Sequence, residues 1–175
     1  KVVAFAISLA TIQYLDRVAI SSAAAVPNIR KSLGLSDIQM GWVFSAFALA
    51  YALFDIPGGW MGDWMGPRKV LMRVVVWWSA FTAATGMTWN LWSMLTARFL
   101  FGAGEAGCFP NLTKVFTIWL PFHERNRAQG LLWMSARWGG AFTPLIATPV
   151  IVAIGWRAAF ALFGSLGLIW AGVFY

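Results

Sequence analysis

Six long apolar segments dominate the sequence and are separated by short stretches of charged and turn-forming residues. They lie near residues 1–26, 38–60, 68–88, 91–113, 127–150 and 157–175. Each contains roughly 19 to 26 residues, and a helix of about 20 residues crosses the ~30 Å hydrocarbon core of a bilayer. The sequence therefore predicts an all-α membrane protein with six transmembrane helices.

The composition is that of a protein in contact with lipid. Hydrophobic residues make up 60% of the chain and charged residues 11%, whereas soluble domains carry about 25% charged residues. The net charge is +7, but the basic residues lie in short loops and form no stripe, so no nucleic-acid partner is expected. The single cysteine, Cys108, and the single histidine, His123, have no neighbouring ligands. We therefore expect no metal and no redox cofactor.

The placement of Lys and Arg predicts the orientation in the membrane. If residue 1 is cytoplasmic, the cytoplasmic side carries Lys1, Arg68, Lys69, Arg73, Lys114, Arg125 and Arg127, and the opposite side carries Arg30, Lys31 and Arg157. By the positive-inside rule, both ends of the segment are expected in the cytoplasm.

Charged side chains also lie inside the apolar segments: Asp16, Arg17, Asp55, Arg98, Glu105 and Arg137. Each charge costs at least ~2.5–3.5 kcal/mol at the bilayer centre, so these groups should face protein or a watery cavity. Counted from the segment ends, Arg17 and Arg137 lie about 15 Å deep and Arg98 about 11 Å deep. The arginines are expected to converge on an anion, such as a carboxylate or phosphate, that they bind bidentately. The alternative is internal ion pairing that locks helices together.

Arg98 and Glu105 lie about two helical turns apart, so they share one face and are separated by about 10 Å. Burial disfavours an ionised carboxyl group. Glu105 is therefore expected to be the main proton carrier rather than a fixed partner of Arg98, with Asp16 as the second candidate.

Two local patterns predict details of the helices. Ser36 and Gln39 have capping-box spacing, which places a helix start near residue 37. Small residues four apart, as at Gly58 and Gly62, predict close helix crossings.

The stretch between the second and third segments resembles the loop signature of the major facilitator superfamily. Its matching residues are Gly59, Asp63, Gly66, Arg68 and Lys69, whereas Trp64 and Pro67 replace basic residues often found there. The resemblance implies a conformational latch in which Asp63 caps or pairs with a neighbouring helix end. A simple charged turn is the alternative.

Further stretches are similar to the anion:cation symporter family, and together they cover essentially the whole chain. They are residues 14–17, 39–47, 56–59, 102–107, 119–121 and 124–125. That family includes bacterial importers of galactonate, glucarate and hexuronates, and animal relatives such as sialin. The resemblance implies proton-coupled uptake of an organic anion across the plasma membrane, in bacteria the inner membrane, driven by the proton gradient without a cofactor.

The resemblance also implies the organisation of the whole protein. Superfamily members have twelve spans in two six-helix halves, so the chain is expected to be an amino-terminal six-helix domain. The carboxy-terminal half is absent from these 175 residues, and it is the expected partner of this one.

Roles for single residues follow from the same resemblance. Arg17 matches the arginine that binds the substrate carboxylate, and Tyr14 and Tyr51 match aromatic positions lining the cavity. Arg137, which we include among the substrate-binding residues, stands where some sugar-acid members have glutamine. Asp55 stands where glutamine is common. Because Arg137 and Asp55 both depart from the family pattern, the resemblance does not specify which anion is the substrate.

The coupling residues form a second set. Asp16 and Glu105 match the family's proton-coupling carboxylates, and Arg98 matches the fourth-helix arginine linked to them.

Three other functions remain open at this point. One is an exchanger of organic phosphate or another anion on the same fold, in which arginines alone hold the substrate and Glu105 is structural. Another is a receptor or assembly subunit that does not transport. The third, a membrane-embedded enzyme, is disfavoured because the spans hold no nucleophile–base pair, metal motif or phosphate loop.

Overall fold

The computed structural model describes residues 1–26 and 28–174, and these fold into helices. The helices are α1 (Val2–Ala25), α2 (Asn28–Leu33), α3 (Asp37–Met65), α4 (Pro67–Gly86), α5 (Leu91–Glu105), α6 (Cys108–Trp119), α7 (Phe122–Ile154) and α8 (Trp156–Phe174). The prediction of an all-α membrane protein is confirmed. Pro27 and Tyr175, which bound a predicted break and the last predicted segment, lie outside the described residues.

The prediction of six spanning helices is confirmed only in part. Among the described residues, four helices are long and apolar enough to cross a membrane: α1, α3, α7 and α8. The third predicted segment forms α4, whose 20 residues begin with a basic turn that includes Arg68 and Lys69. The fourth is divided between α5 and α6, because the helix is interrupted at Ala106 and Gly107.

Several predicted breaks are shorter in the structure. Helix α3 continues through Met65, and only Gly66, at φ +84°, separates it from α4. Pro67 suits the first position of α4, because its fixed φ is helical and it has no N–H to leave unpaired. Helix α7 begins at Phe122 rather than near residue 127, with Glu124 in its first turn, where the helix dipole favours a negative charge.

The predicted start of α3 is confirmed. The Ser36 hydroxyl oxygen accepts a hydrogen bond from the Gln39 N–H at 3.2 Å, and the Gln39 side-chain oxygen accepts one from the Ser36 N–H at 2.9 Å. This capping box satisfies two N–H groups that the first helical turn leaves without partners.

Two buried apolar clusters are stacked along the bundle. The first contains Ala6, Ala10, Val74, Phe101, Leu112 and Leu132, and the second contains Ala19, Ala23, Met94, Ala147, Ile151 and Phe160. On α1, the buried polar residues Gln13 and Asp16 lie between Ala10 and Ala19, and on α5 Arg98 lies between Met94 and Phe101. A polar layer therefore separates two apolar cores near the middle of the bundle.

Large apolar side chains cover the outside of the bundle, as expected for a surface that meets lipid. Tryptophans are exposed near helix ends: Trp60, Trp64 and Trp119 lie toward one end and Trp42, Trp89 and Trp92 toward the other. Indole rings favour the membrane–water interface, so both positions are typical of a bilayer-spanning bundle.

Helix α3 crosses the junction of α5 and α6 at the predicted small residues. A Cβ atom at Gly58 would lie 2.8 Å from the Gly107 Cα atom, and one at Gly62 would collide with the Asn111 amide. Gly107 itself has φ +80°, a left-handed conformation that glycine adopts without strain. The crossing is therefore set by backbone contact.

We expect Gly58→Ala to destabilise the full-length protein by about 1–3 kcal/mol, because the added methyl group meets backbone that cannot move aside. The matched control is Gly41→Ala in the same helix, where a Cβ atom has no neighbour within 4 Å. Thermal unfolding in detergent measures both. Equal midpoints for the two variants would contradict the close crossing.

Candidate functional site

The centre of the polar layer is an ion pair between α1 and α5. Arg17 Nε donates to Glu105 Oε1 at 2.9 Å, and Arg17 Nη2 lies 2.8 Å from the same oxygen. The Gln13 side-chain amide also donates to this oxygen, at 2.8 Å. The Glu105 side chain is 0% exposed, whereas that of Arg17 is 21% exposed. The carboxylate is thus sealed inside the bundle, and its guanidinium partner can be reached from outside.

Three aromatic rings surround the Arg17 guanidinium. Its Cζ atom lies 4.9 Å from the ring centre of Tyr14, 5.2 Å from that of Phe47 and 4.6 Å from that of Tyr51. A cation over an aromatic face is stabilised by about 0.5–2 kcal/mol. The rings hold the guanidinium in place beside Glu105, and Tyr51 also interacts with it through its hydroxyl group.

Asp16 and Arg98 form the deeper part of the polar layer. Both are buried, and each interacts electrostatically with the other and with Glu105. Arg98 Nε and Nη1 have no hydrogen-bond partner among the described residues. Arg98 Cζ lies 4.3 Å from the centre of the Phe101 ring, which covers it on one side. Arg98 therefore interacts electrostatically with both carboxylates, and the described residues show no ion pair between Arg98 and Glu105.

The helix interruption lies directly after Glu105. Gly107 precedes α6, and its N–H donates to Asp55 Oδ1 of α3 at 2.9 Å. The carboxylate thus caps the start of α6, where N–H groups have no partner within the helix and the dipole favours a negative charge. Asn111 also stabilises this junction, because its amide donates to the carbonyls of Gly58 at 2.9 Å and Gly107 at 2.7 Å.

Arg137 is placed apart from the other arginines. It lies near the middle of α7 and is exposed. The structure shows no hydrogen bond, ion pair or ring contact between Arg137 and any described residue. Arg17 and Arg98 are brought together in the polar layer, but Arg137 does not join them by direct contact.

The predicted latch residues lie at the end of α3 and the start of α4. Asp63 forms an ion pair with Lys114 of α6, and Lys114 Nζ also donates to the Gly62 carbonyl at 3.0 Å. Gly59 packs close to Pro110, Gly66 forms the turn, and Arg68 and Lys69 lie in the first turn of α4. Asp63 therefore pairs with a neighbouring helix, and the ion pair links α3 to α6.

Four residues of this site were not predicted from the sequence: Gln13, Phe47, Asn111 and Lys114. Gln13 is one turn before Arg17 on the same helical face, and an amide in an apolar segment is a usable signal. Phe47 and Lys114 carry no such signal, because their roles depend on which helices cross.

Comparison with known proteins gives a consistent result. Residues 6–175 match the sequence profile of the Major Facilitator Superfamily. A probable sulfoacetate transporter of Cupriavidus necator is 46% identical over 159 residues, which is 91% of this chain and 36% of the relative. The hexuronate transporter of Bacillus subtilis is 36% identical over 174 residues, 99% of this chain and 41% of the relative. A D-galactonate transporter of Escherichia coli O6:H1 is 35% identical over 163 residues, 93% of this chain and 37% of the relative.

Solved structures agree with the sequence comparison. A bacterial homologue of the human lysosomal transporter Spinster, in an inward-facing and unoccupied conformation, matches with a TM-score of 0.82 and 25% identity over 98% of this chain and 41% of that one. The POT family transporter PepTSo matches with a TM-score of 0.81 at 16% identity, a likeness of fold alone, over 99% of this chain and 36% of that one. The chain thus spans about two fifths of the transporters it matches.

We expect Asp55→Ala to lower the stability of the full-length protein by about 0.5–2 kcal/mol, because the cap of α6 is lost. Asp55→Asn keeps an oxygen that accepts from the Gly107 N–H, so its loss should be smaller. Thermal unfolding in detergent measures both variants. An unchanged midpoint for Asp55→Ala would contradict the capping role.

Proposed function

The chain belongs to the Major Facilitator Superfamily, and on that premise we propose that it is the amino-terminal domain of a transporter that carries a small organic acid together with protons. The family and the relatives are transporters, which removes the membrane-embedded enzyme from consideration. The observation that carries the proposal is the pairing of a buried carboxylate, Glu105, with a reachable guanidinium, Arg17.

The pair supports coupling because Arg17 can exchange one carboxylate for another. An incoming carboxylate approaches the exposed side of Arg17 and takes over its N–H donors. Glu105 then loses its cationic partner, and a buried carboxylate without a partner is strongly unfavourable. Protonation removes that cost, so anion binding and protonation of Glu105 favour each other. Asp16 is the second proton-carrying candidate, with Arg98 as its electrostatic partner.

The relatives support an organic acid as the substrate. Sulfoacetate, hexuronate and galactonate, for which the relatives are named, share a carboxylate, which is the group that an arginine binds with two parallel hydrogen bonds. We propose a sugar acid or similar carboxylate, bound by Arg17 with Tyr14 and Tyr51 as part of the cavity wall. The driving ion is the proton, and no other cofactor takes part.

The rest of the transporter completes this site. We propose that a carboxy-terminal six-helix half packs against this domain and supplies the remaining substrate contacts, since alternating access in such transporters requires one half to rock against the other. The protein is a multi-pass membrane protein. We place it in the plasma membrane, the inner membrane of a bacterium, with both ends of this segment in the cytoplasm.

Arg17→Lys in the full-length transporter should lose most anion binding although the positive charge remains. Lysine cannot bind a carboxylate through two fixed parallel donors, and its ammonium group would stay with Glu105. Calorimetric titration with the anion tests this. The conservative control is Arg127→Lys at the start of α7, far from the polar layer. Equal affinity of Arg17→Lys and the unmodified protein would remove Arg17 from the binding site.

Glu105→Gln should retain anion binding and anion exchange but lose proton-driven accumulation, because the amide remains neutral at every pH. Uptake into proteoliposomes with and without a pH gradient measures accumulation, and counterflow of labelled anion measures exchange. Accumulation equal to that of the unmodified protein would place coupling elsewhere, with Asp16 the next residue to change. An exchanger with a structural Glu105 would instead show no response to the gradient before any substitution.

A further inference from the structure

Arg137 is a positive charge at the centre of a membrane-spanning helix without a described partner. It is close to the midpoint of α7, where an unpaired charge facing lipid would cost at least ~2.5–3.5 kcal/mol. The structure shows no hydrogen bond, ion pair or cation–π contact between Arg137 and residues 1–26 and 28–174. An arginine in such a place should face a watery cavity and a negatively charged ligand rather than hydrocarbon.

The neighbours of Arg137 on its helical face show which way it points. Trp133, four residues earlier, stacks on the Phe109 ring with centres 4.6 Å apart, and Phe109 meets the Tyr14 ring edge-on at 6.1 Å. Gly140, three residues later, packs against Tyr14, since a Cβ atom there would lie 3.2 Å from that ring. Residues three and four apart share a helical face. Arg137 therefore lies on the face that borders the aromatic wall around Arg17.

The two arginines lie at nearby levels in the bundle. A Cβ atom at Gly140 would contact both Tyr14 and Val18, which bracket Arg17 along α1. Arg137 precedes Gly140 by three residues, which is about 5 Å along the helix axis. Arg137 therefore lies about one helical turn from the level at which α7 packs against Tyr14 and Val18.

The charge balance of the polar layer favours the same ligand. Arg17 and Arg98 are opposed by Glu105 and Asp16, and Asp55 is held at the start of α6 by the Gly107 N–H. Of the three arginines inside the predicted spans, Arg137 is the one for which the described residues show no carboxylate interaction. Once Glu105 is protonated, Arg17 is uncompensated too, and two negative charges are needed to balance the site.

We propose that the substrate is a dianion, one acidic group bound by Arg17 and the other by Arg137, so that Arg137 determines specificity for doubly over singly charged acids. The inference rests on the proposed transport function and narrows its substrate class. This binding mode requires no direct contact between Arg137 and the Arg17–Glu105 ion pair, because the ligand lies between the two arginines.

Two pairs of probes that differ in one negative charge test the proposal on the full-length transporter. Sulfoacetate is compared with its carboxyl methyl ester, and galactarate with galactonate. In whichever pair binds, the dianion should bind about 10-fold more tightly than the monoanion, or better. One charge-assisted hydrogen bond contributes enough binding free energy for a difference of that size. Arg137→Gln should reduce the dianion-to-monoanion ratio to within about 3-fold, and Arg137→Lys should restore part of it.

Arg127→Gln, the same substitution at the start of the same helix, is the matched control and should leave the ratio as it is. Size-exclusion profiles and thermal midpoints establish that each variant is folded. Tight binding of a monoanion with no preference for its dianion, or an unchanged ratio in Arg137→Gln, would overturn the inference and leave organic-acid transport standing. Failure of all four acids to bind would instead count against the proposed function itself, and the dianion inference would fall with it.

Discussion

The ion pair between Arg17 and Glu105 is the interaction on which the rest of the site depends. It joins α1 to α5 at the level where two apolar cores meet, and it combines a sealed carboxylate with a guanidinium that remains partly exposed. In so apolar a bundle neither charge is tolerable alone. In the proposed mechanism, an anion that occupies Arg17 changes the protonation of Glu105, which couples anion binding to proton uptake.

The surrounding structure positions this pair. Glu105 is the last residue of α5, and the interruption that follows is held by the Asp55 cap and by the Asn111 amide. Close contact of Gly58 with Gly107 brings α3 against the interruption, and the Asp63–Lys114 ion pair joins the same two elements nearer the helix end. Glu105 thus lies where α5 ends and where α3 packs against the start of α6.

The apolar segments and the capping box of α3 could be predicted from sequence because both depend on residues close together in the chain. Arg17, Asp16, Arg98 and Glu105 could be predicted to lie inside the protein because a charge in lipid is too costly. The sequence could not predict that Glu105 pairs with Arg17 rather than with Arg98, because the pairing depends on how α1 packs against α5. The interruption at Gly107 was missed for the same reason. Its stabilising partner, Asp55, is 52 residues away in sequence.

The most direct measurement of the central claim is proton exchange on anion binding. The full-length protein in weakly buffered detergent solution is mixed with the anion, and a pH indicator follows the change. If the anion displaces Glu105 from Arg17, Glu105 takes up a proton and the solution becomes more alkaline. Saturating anion binding without any proton uptake between pH 5 and pH 9 would contradict the account.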